Sequence, residues 1–331
     1  IRQRGLSDDV IADFRLGYAP RRGLFAHLQQ REFPADLIKA AGLASVSGRD
    51  ESVYDYFRDR LIFPIEDPRG RVIGFGARAL GEGQPKYLNS PESPSFAKKS
   101  VLYGWSRARI AARRGLAVMV VEGYMDVIAV AASGVAAAVA PLGTALTEEQ
   151  IRLLWKLSDE PILCFDGDKA GQAAAKRAIE RILPLLEPGH SVRLAVLPEG
   201  KDPDDVLREQ GPDGLRRILS AAAGLLDCLW AFKAIEYELD DPRTQASAKA
   251  AFWQDMRGLV RSIAHHQTRS AWADELERRI TAMRGVTRTA GKSRLDQLAA
   301  RPSMRRPKTG RHVQIQAVLA LLISTPALFA D

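Results

Sequence analysis

AVMVVEGYMDV (117–127) and PILCFDGDKAG (161–171) decide the fold. Each is an apolar run without polar alternation that stops at a carboxylate. Runs of this kind suit strands buried on both faces. Working outward, AVMVV (117–121) predicts a strand, YMDVIAVAAS (124–133) a helix and VAAAVA (135–140) a second strand. TEEQIRLLWKL (147–157) predicts a helix capped by Thr147, and PILCF (161–165) a third strand. AGQAAAKRAIERILPLL (170–186) follows as a long helix and SVRLAVL (191–197) as a fourth strand. Such alternation predicts an α/β fold, a parallel sheet with helices on both faces. Ligands of these sheets bind beyond the carboxyl ends of the strands, where Glu122, Asp166 and Asp168 fall.

Two further acid groups lie close by in the pattern. Asp126 is the third residue of the helix predicted over 124–133, and LPEGKDPDD (197–205) carries Asp202 and Asp204, with Asp205 adjoining. Carboxylates that converge repel one another unless a divalent cation neutralises them. Oxygen-only ligands suit Mg²⁺ or Mn²⁺. Asp166-x-Asp168 can grip one ion from a single loop. Glu122 either completes that site or serves as a general base, and Asp202 with Asp204 can hold a second ion. Two ions neutralise a reacting phosphate and orient an attacking hydroxyl. The competing reading is that Asp166 and Asp168 only cap the following helix. A glutamate and an Asp-x-Asp at two strand ends of one alternating unit favour the metal.

Composition narrows the class. The 331 residues suffice for two or three domains, and an apolar fraction of 46% is that of a globular chain. The longest apolar run, IQAVLALLI (315–323), is too short to span a membrane, and no membrane partner is expected. No secretory signal is visible. Cys164 and Cys228 both fall in core patterns, which suits a reducing cytosol and leaves too few thiols for a zinc site. The formal charge of +8 is uneven: residues 58–114 carry +7 and residues 286–331 carry +6, around an acidic remainder. A polyanion is the natural partner of the basic blocks.

The flanks read differently from the centre. Residues 1–56 predict short helices, among them SDDVIADF (7–14) with a Ser cap and FPADLIKAAGL (33–43). RLIFPIED (60–67) and RVIGFGARAL (71–80) predict a hairpin about Pro68-Arg69-Gly70. Residues 81–100 predict a long basic loop. Residues 203–285 predict a helical bundle whose Trp and Phe residues form its core. Residues 286–311 read as a linker, and 312–329 as the first helix of another domain.

EGYMDV followed by FDGD resembles the Toprim domain of bacterial primases, topoisomerases and some nucleases. YDYFRDRLIFPIEDPRGRVIGFGARAL (54–80) and PKYLNSPESPSFAKKSVLYG (85–104) resemble the basic half of the RNA polymerase domain of bacterial replicative DNA primases. The resemblance runs from about Arg4-Gly5-Leu6 to about residue 285. It implies a Toprim parallel sheet flanked by an N-terminal basic α+β subdomain and a C-terminal helical bundle. The implied boundaries are 1–114, 115–210, 211–285 and, for a linker and the start of a helicase-binding domain, 286–331. It implies Glu122, Asp166 and Asp168 as catalytic metal-binding acids, with Asp126, Asp202 and Asp204 near the metals. Arg78, Lys86, Tyr87, Asn89 and Lys98 match positions that contact template or nucleotide, as Arg4 does in the Arg-Gly-Leu string.

The implied activity is RNA primer synthesis on single-stranded DNA from ribonucleoside triphosphates, with two or more Mg²⁺ or Mn²⁺ ions. The replicative helicase is the implied partner, a monomer the implied state, and the bacterial cytoplasm, at the replisome, the implied place. The family's zinc-ribbon cysteines are missing from this sequence, so no zinc is expected in it. Two rival readings are a Toprim enzyme that cleaves DNA and a non-catalytic DNA- or helicase-binding module.

Overall fold

The computed structural model describes residues 6–297 apart from 49, 144, 240 and 242–244, with side chains to residue 283. The chain divides into two compact units. One comprises the described residues of Ile1–Ala174 and Leu197–Ser220, the other those of Ala175–Val196 and Ala221–Asp331.

The first unit opens with α1 (Asp8–Asp13), where Ser7 accepts a bond from the Val10 N–H as the cap. Next come β1 (Gly17–Ala19), α2 (Leu24–Gln30), α3 (Ala35–Ala40), β2 (Ala44–Val46) and β3 (Val53–Asp55). The helices agree with the sequence reading, but the three short strands were not anticipated. Each is only three residues long, too short to show a period of two. The hairpin is as expected: β4 (Arg60–Glu66) pairs antiparallel with β5 (Val72–Ala79). Asp67 fixes its turn by accepting from the Arg69 and Arg71 N–H groups at 2.8 and 2.9 Å.

The stretch 81–100 is not a plain loop. It contains β6 (Tyr87–Asn89), which pairs antiparallel with β5, and a 3₁₀ turn at Lys98–Ser100. The Gly and Pro residues around Tyr87-Leu88-Asn89 hid a strand this short. The resulting sheet runs β1-β4-β5-β6. α4 (Trp105–Arg113) then leads to the alternating region.

There the reading from the sequence holds closely. β7 (Val118–Val120), α5 (Tyr124–Ser133), β8 (Ala137–Val139), α6 (Glu148–Trp155) and β9 (Ile162–Phe165) follow in turn. β7 lies between β8 and β9 and runs parallel to both. Val118, Met119 and Val120 are 0–1% exposed, as unbroken apolar strands require. Because β7, β8 and β9 are parallel, their carboxyl ends share one rim, and α5 and the helix after β9 begin within four residues of the ends of β7 and β9.

Downstream come α7 (Lys169–Ile182), β10 (Arg193–Val196), α8 (Pro203–Ser220) and β11 (Ala223–Gly224), then α9 (Leu225–Glu236), α10 (Ala246–Arg261) and α11 (His266–Gln297). α8 breaks at Gly211, φ 66°, just before Pro212. In the second unit β10 and β11 pair antiparallel, a two-residue contact not anticipated within the helical stretch. Its helices bury Phe252, Met256 and Ile280 completely. Phe252 is core, as expected, and Trp230 meets it edge-on at 5.0 Å, but Trp230, Phe232, Trp253 and Trp272 are only part-buried. Lys233 is buried there against Asp255 at 2.7 Å. Cys164 and Cys228 are fully buried. α11 extends to Gln297, into the stretch read as a linker. Its Arg, Ala, Lys, Leu and Gln are helix formers, and no proline intervenes before Pro302. The apolar stretch 312–329 lies outside the described residues.

Candidate active site

Every acid singled out from the sequence falls in the first unit: Glu122, Asp166 and Asp168 just past β7 and β9, Asp126 in the first turn of α5, Asp202 just before α8, and Asp204 and Asp205 in its first turn. Glu122 follows β7, and its Oε1 accepts the Asp166 N–H at 2.9 Å, which ties the end of β7 to the end of β9. Asp168 caps α7 by accepting the Gly171 N–H at 2.8 Å. Asp126, 8% exposed, accepts the Gly123 N–H at 3.1 Å. Asp202 starts α8 by accepting the Asp205 N–H at 2.7 Å, while Asp204 lies 3.8 Å from Arg208. The loops are stitched together: the Gly167 N–H donates to the Lys201 carbonyl at 2.9 Å, and the Gly200 N–H to the Gly167 carbonyl at 3.2 Å.

The acids act on one another electrostatically. Burial, then the charges of Glu122, Asp202, Asp168 and Asp205, push Asp166 up to about 7. Burial, then Asp202, Asp166 and Asp204, push Asp126 up to about 8. Asp166 Oδ1 is buried and has no hydrogen-bond partner. Among the described residues, no three His, Cys, Asp or Glu side chains stand close enough to hold an ion as they lie. Glu122, Asp126, Asp168 and Asp202 each turn an oxygen onto a backbone N–H. Capping, the competing reading of Asp168, is therefore present in the structure.

The cations gather on the antiparallel sheet. Arg78 on β5 faces Tyr87 on β6 in register, and its guanidinium lies 5.9 Å over the Tyr87 ring. Lys86 Nζ lies at the same distance over that ring. Arg78 Nε is buried and unpartnered. Arg78, Lys86, Leu80 and Met125 line a cavity of about 350 Å³, so the helix carrying Asp126 opens onto the same space as the cations. The Asn89 side chain is engaged inside the protein, accepting from Tyr124 at 2.6 Å and donating to the Leu142 carbonyl at 3.3 Å. Arg4 lies outside the described residues.

Sequence reasoning missed Gln150. Fully buried at the start of α6, it donates to the Lys98 and Val101 carbonyls at 3.1 and 2.8 Å and accepts the Thr147 N–H at 3.0 Å. These bonds tie the turn bearing Lys98 to the start of α6. The available signal was T-x-x-Q at 147–150, a capping box.

Comparison with known proteins places this geometry. Residues 1–109 match the family described as DNA primase catalytic core, N-terminal domain, and residues 119–207 match the Toprim-like family. A DNA primase domain from Pseudomonas aeruginosa is 41% identical with a TM-score of 0.75, over 83% of this chain and 86% of that one. The chain belongs to the DNA primase catalytic core family. The curated DNA primase of the same organism is 45% identical over 254 residues, covering 76% of this chain and 38% of the relative. A primase catalytic domain solved bound to single-stranded DNA is 37% identical with a TM-score of 0.73, over 83% of this chain and 85% of that one. This primase-family chain spans 38% to 55% of the length of the curated relatives it matches.

The Toprim-like match contains all six acids, from Glu122 to Asp204. The donors are all oxygen, one buried carboxylate oxygen has no partner, and the group is mutually repulsive. These properties fit a hard divalent cation. Among the described residues, no helix is long and apolar enough to cross a membrane.

Proposed function

We propose that the protein synthesises short RNA primers on single-stranded DNA. The observation that carries this reading is the joining, within one unit, of the Toprim-like acids to a cationic strand pair through the Tyr124–Asn89 bond. Glu122, Asp166 and Asp168 are the principal candidates to hold Mg²⁺ or Mn²⁺, with Asp126, Asp202 and Asp204 beside them. Such an ion, when bound, supplies positive charge against that developing on the reacting phosphate.

The chemistry required is attack of a 3′-hydroxyl on the α-phosphate of a ribonucleoside triphosphate, with pyrophosphate leaving. Arg78, Lys86 and Lys98 are the candidates to neutralise triphosphate and template phosphates, Arg by its planar fork and Lys as a point charge. Tyr87, 42% exposed between two cations, offers an aromatic face on which a base can stack. The domain boundaries read from the sequence, a monomeric state, a helicase partner and a cytoplasmic location belong to the same reading.

The test is direct. Incubated with single-stranded DNA, ribonucleotides and Mn²⁺, the protein should make short RNA, and Glu122→Gln or Asp168→Ala should stop it while sparing DNA binding. Shortening of the DNA would instead identify a cleaving enzyme. Primer synthesis by both variants at the parental rate would remove the acids from the mechanism.

A further inference from the structure

Tyr124 lies between Glu122 and Asp126 in sequence, yet its ring is packed into the antiparallel sheet. It stacks on Phe63 of β4, with centroids 4.9 Å apart and planes 11° from parallel, and meets Tyr103 edge-on at 4.7 Å. β5 makes room for it at Gly76, where an added Cβ would come within 2.2 Å of the Tyr124 ring. The phenol donates to Asn89 Oδ1 on β6 at 2.6 Å, and Asn89 passes a second bond to the Leu142 carbonyl after β8. Tyr87, the ring beneath Arg78 and Lys86, lies 6.4 Å from Tyr124. A continuous set of contacts therefore leads from the acids to the cations.

Stacking alone leaves a ring free to slide in its plane. A short directional hydrogen bond at its rim fixes how deep the ring sits. We propose that Tyr124 and Asn89 form one positioning pair that sets the spacing between the Toprim-like acids and the cationic strands, and that Asn89 acts through Tyr124 and not by touching template or nucleotide. The kinetic part of this inference rests on the primase reading.

Two measurements test it on the full chain. Spin labels on Val72→Cys and Glu160→Cys, both exposed positions of the first unit, report the spacing without reference to activity. Tyr124→Phe keeps the stacking and removes the bond, so the label–label distance distribution should broaden while thermal unfolding stays cooperative. In primer synthesis, Tyr124→Phe and Asn89→Ala should each lower kcat about tenfold, since small misplacements of reacting groups are costly. The KM for nucleotide and the affinity for single-stranded DNA should stay within about twofold, because no contact with either is lost. The double variant should be no slower than the slower single one. Unchanged distance distributions in Tyr124→Phe would overturn the pair. So would a rise in KM for Asn89→Ala that persists in the Tyr124→Phe background, which is the mark of direct contact. If the parent makes no RNA, the primase reading fails, and the spin labels still decide the spacing.

Discussion

Asp166 carries two opposed demands. Its backbone N–H anchors Glu122, while its own carboxylate is part-buried among like charges with one oxygen unpartnered. A buried acceptor without a donor costs about 1–3 kcal/mol. A residue kept at such cost serves something other than the fold of the ion-free chain. Asp166→Asn removes the charge and keeps the shape and the backbone bond to Glu122. In the presence of chelator its Tm should therefore rise by about 2–4 °C, the shift expected for about 1 kcal/mol in a unit of this size. Mn²⁺ should raise the Tm of the parent but not that of the variant, and primer synthesis should be lost. Calorimetry with and without Mn²⁺ checks both halves, and an Mn²⁺-induced rise in the variant equal to the parent's would take Asp166 out of the ligand set.

At the scale of elements, the acid cluster depends on two loops running backbone to backbone. Gly167, between Asp166 and Asp168, sits where a Cβ would lie 1.9 Å from the Pro198 carbonyl oxygen. The obstacle is main chain, so it cannot rotate aside. Gly167→Ala should cost about 1–3 kcal/mol and push the Asp166–Asp168 loop off the loop leading to Asp202. The expected signature is a reduced midpoint in urea together with weaker Mn²⁺ binding by titration. Parental values of both would show the loops free to separate.

These elements also explain what the sequence disclosed. β7 and β8 are also three residues long, yet they were legible with α5, α6 and β9 because the unbroken apolar runs that contain them, 117–121 and 135–140, extend past the paired residues and alternate with helices. The acids at their ends were legible for the same reason. Strands β1, β2, β3, β6 and β11, two or three residues each, leave no such pattern. The bonds of Gln150 to Lys98 and of Asn89 to Leu142 were illegible because the partners lie about 50 residues away. No local pattern encodes such a contact.

For the whole molecule, the question is whether net charge or its placement governs attraction to nucleic acid. The chain carries +8 overall, with +7 in residues 58–114. Lys86 and Lys156 are both exposed, and replacing either by Ala lowers the net charge equally. Lys86 borders the cavity beside Arg78, whereas Lys156, the residue after α6, does not line it. Placement therefore predicts different outcomes for the two. Each phosphate contact to a single strand contributes about 0.7 to the slope of log K against log salt. Lys86→Ala should lose about that much slope and weaken binding, while Lys156→Ala should keep the parental slope. Fluorescence anisotropy of a labelled single strand, titrated at several salt concentrations, measures both. Equal losses in the two variants would mean that the protein attracts DNA through its overall field, and the strand pair of Arg78, Lys86 and Tyr87 would have no special claim on the template.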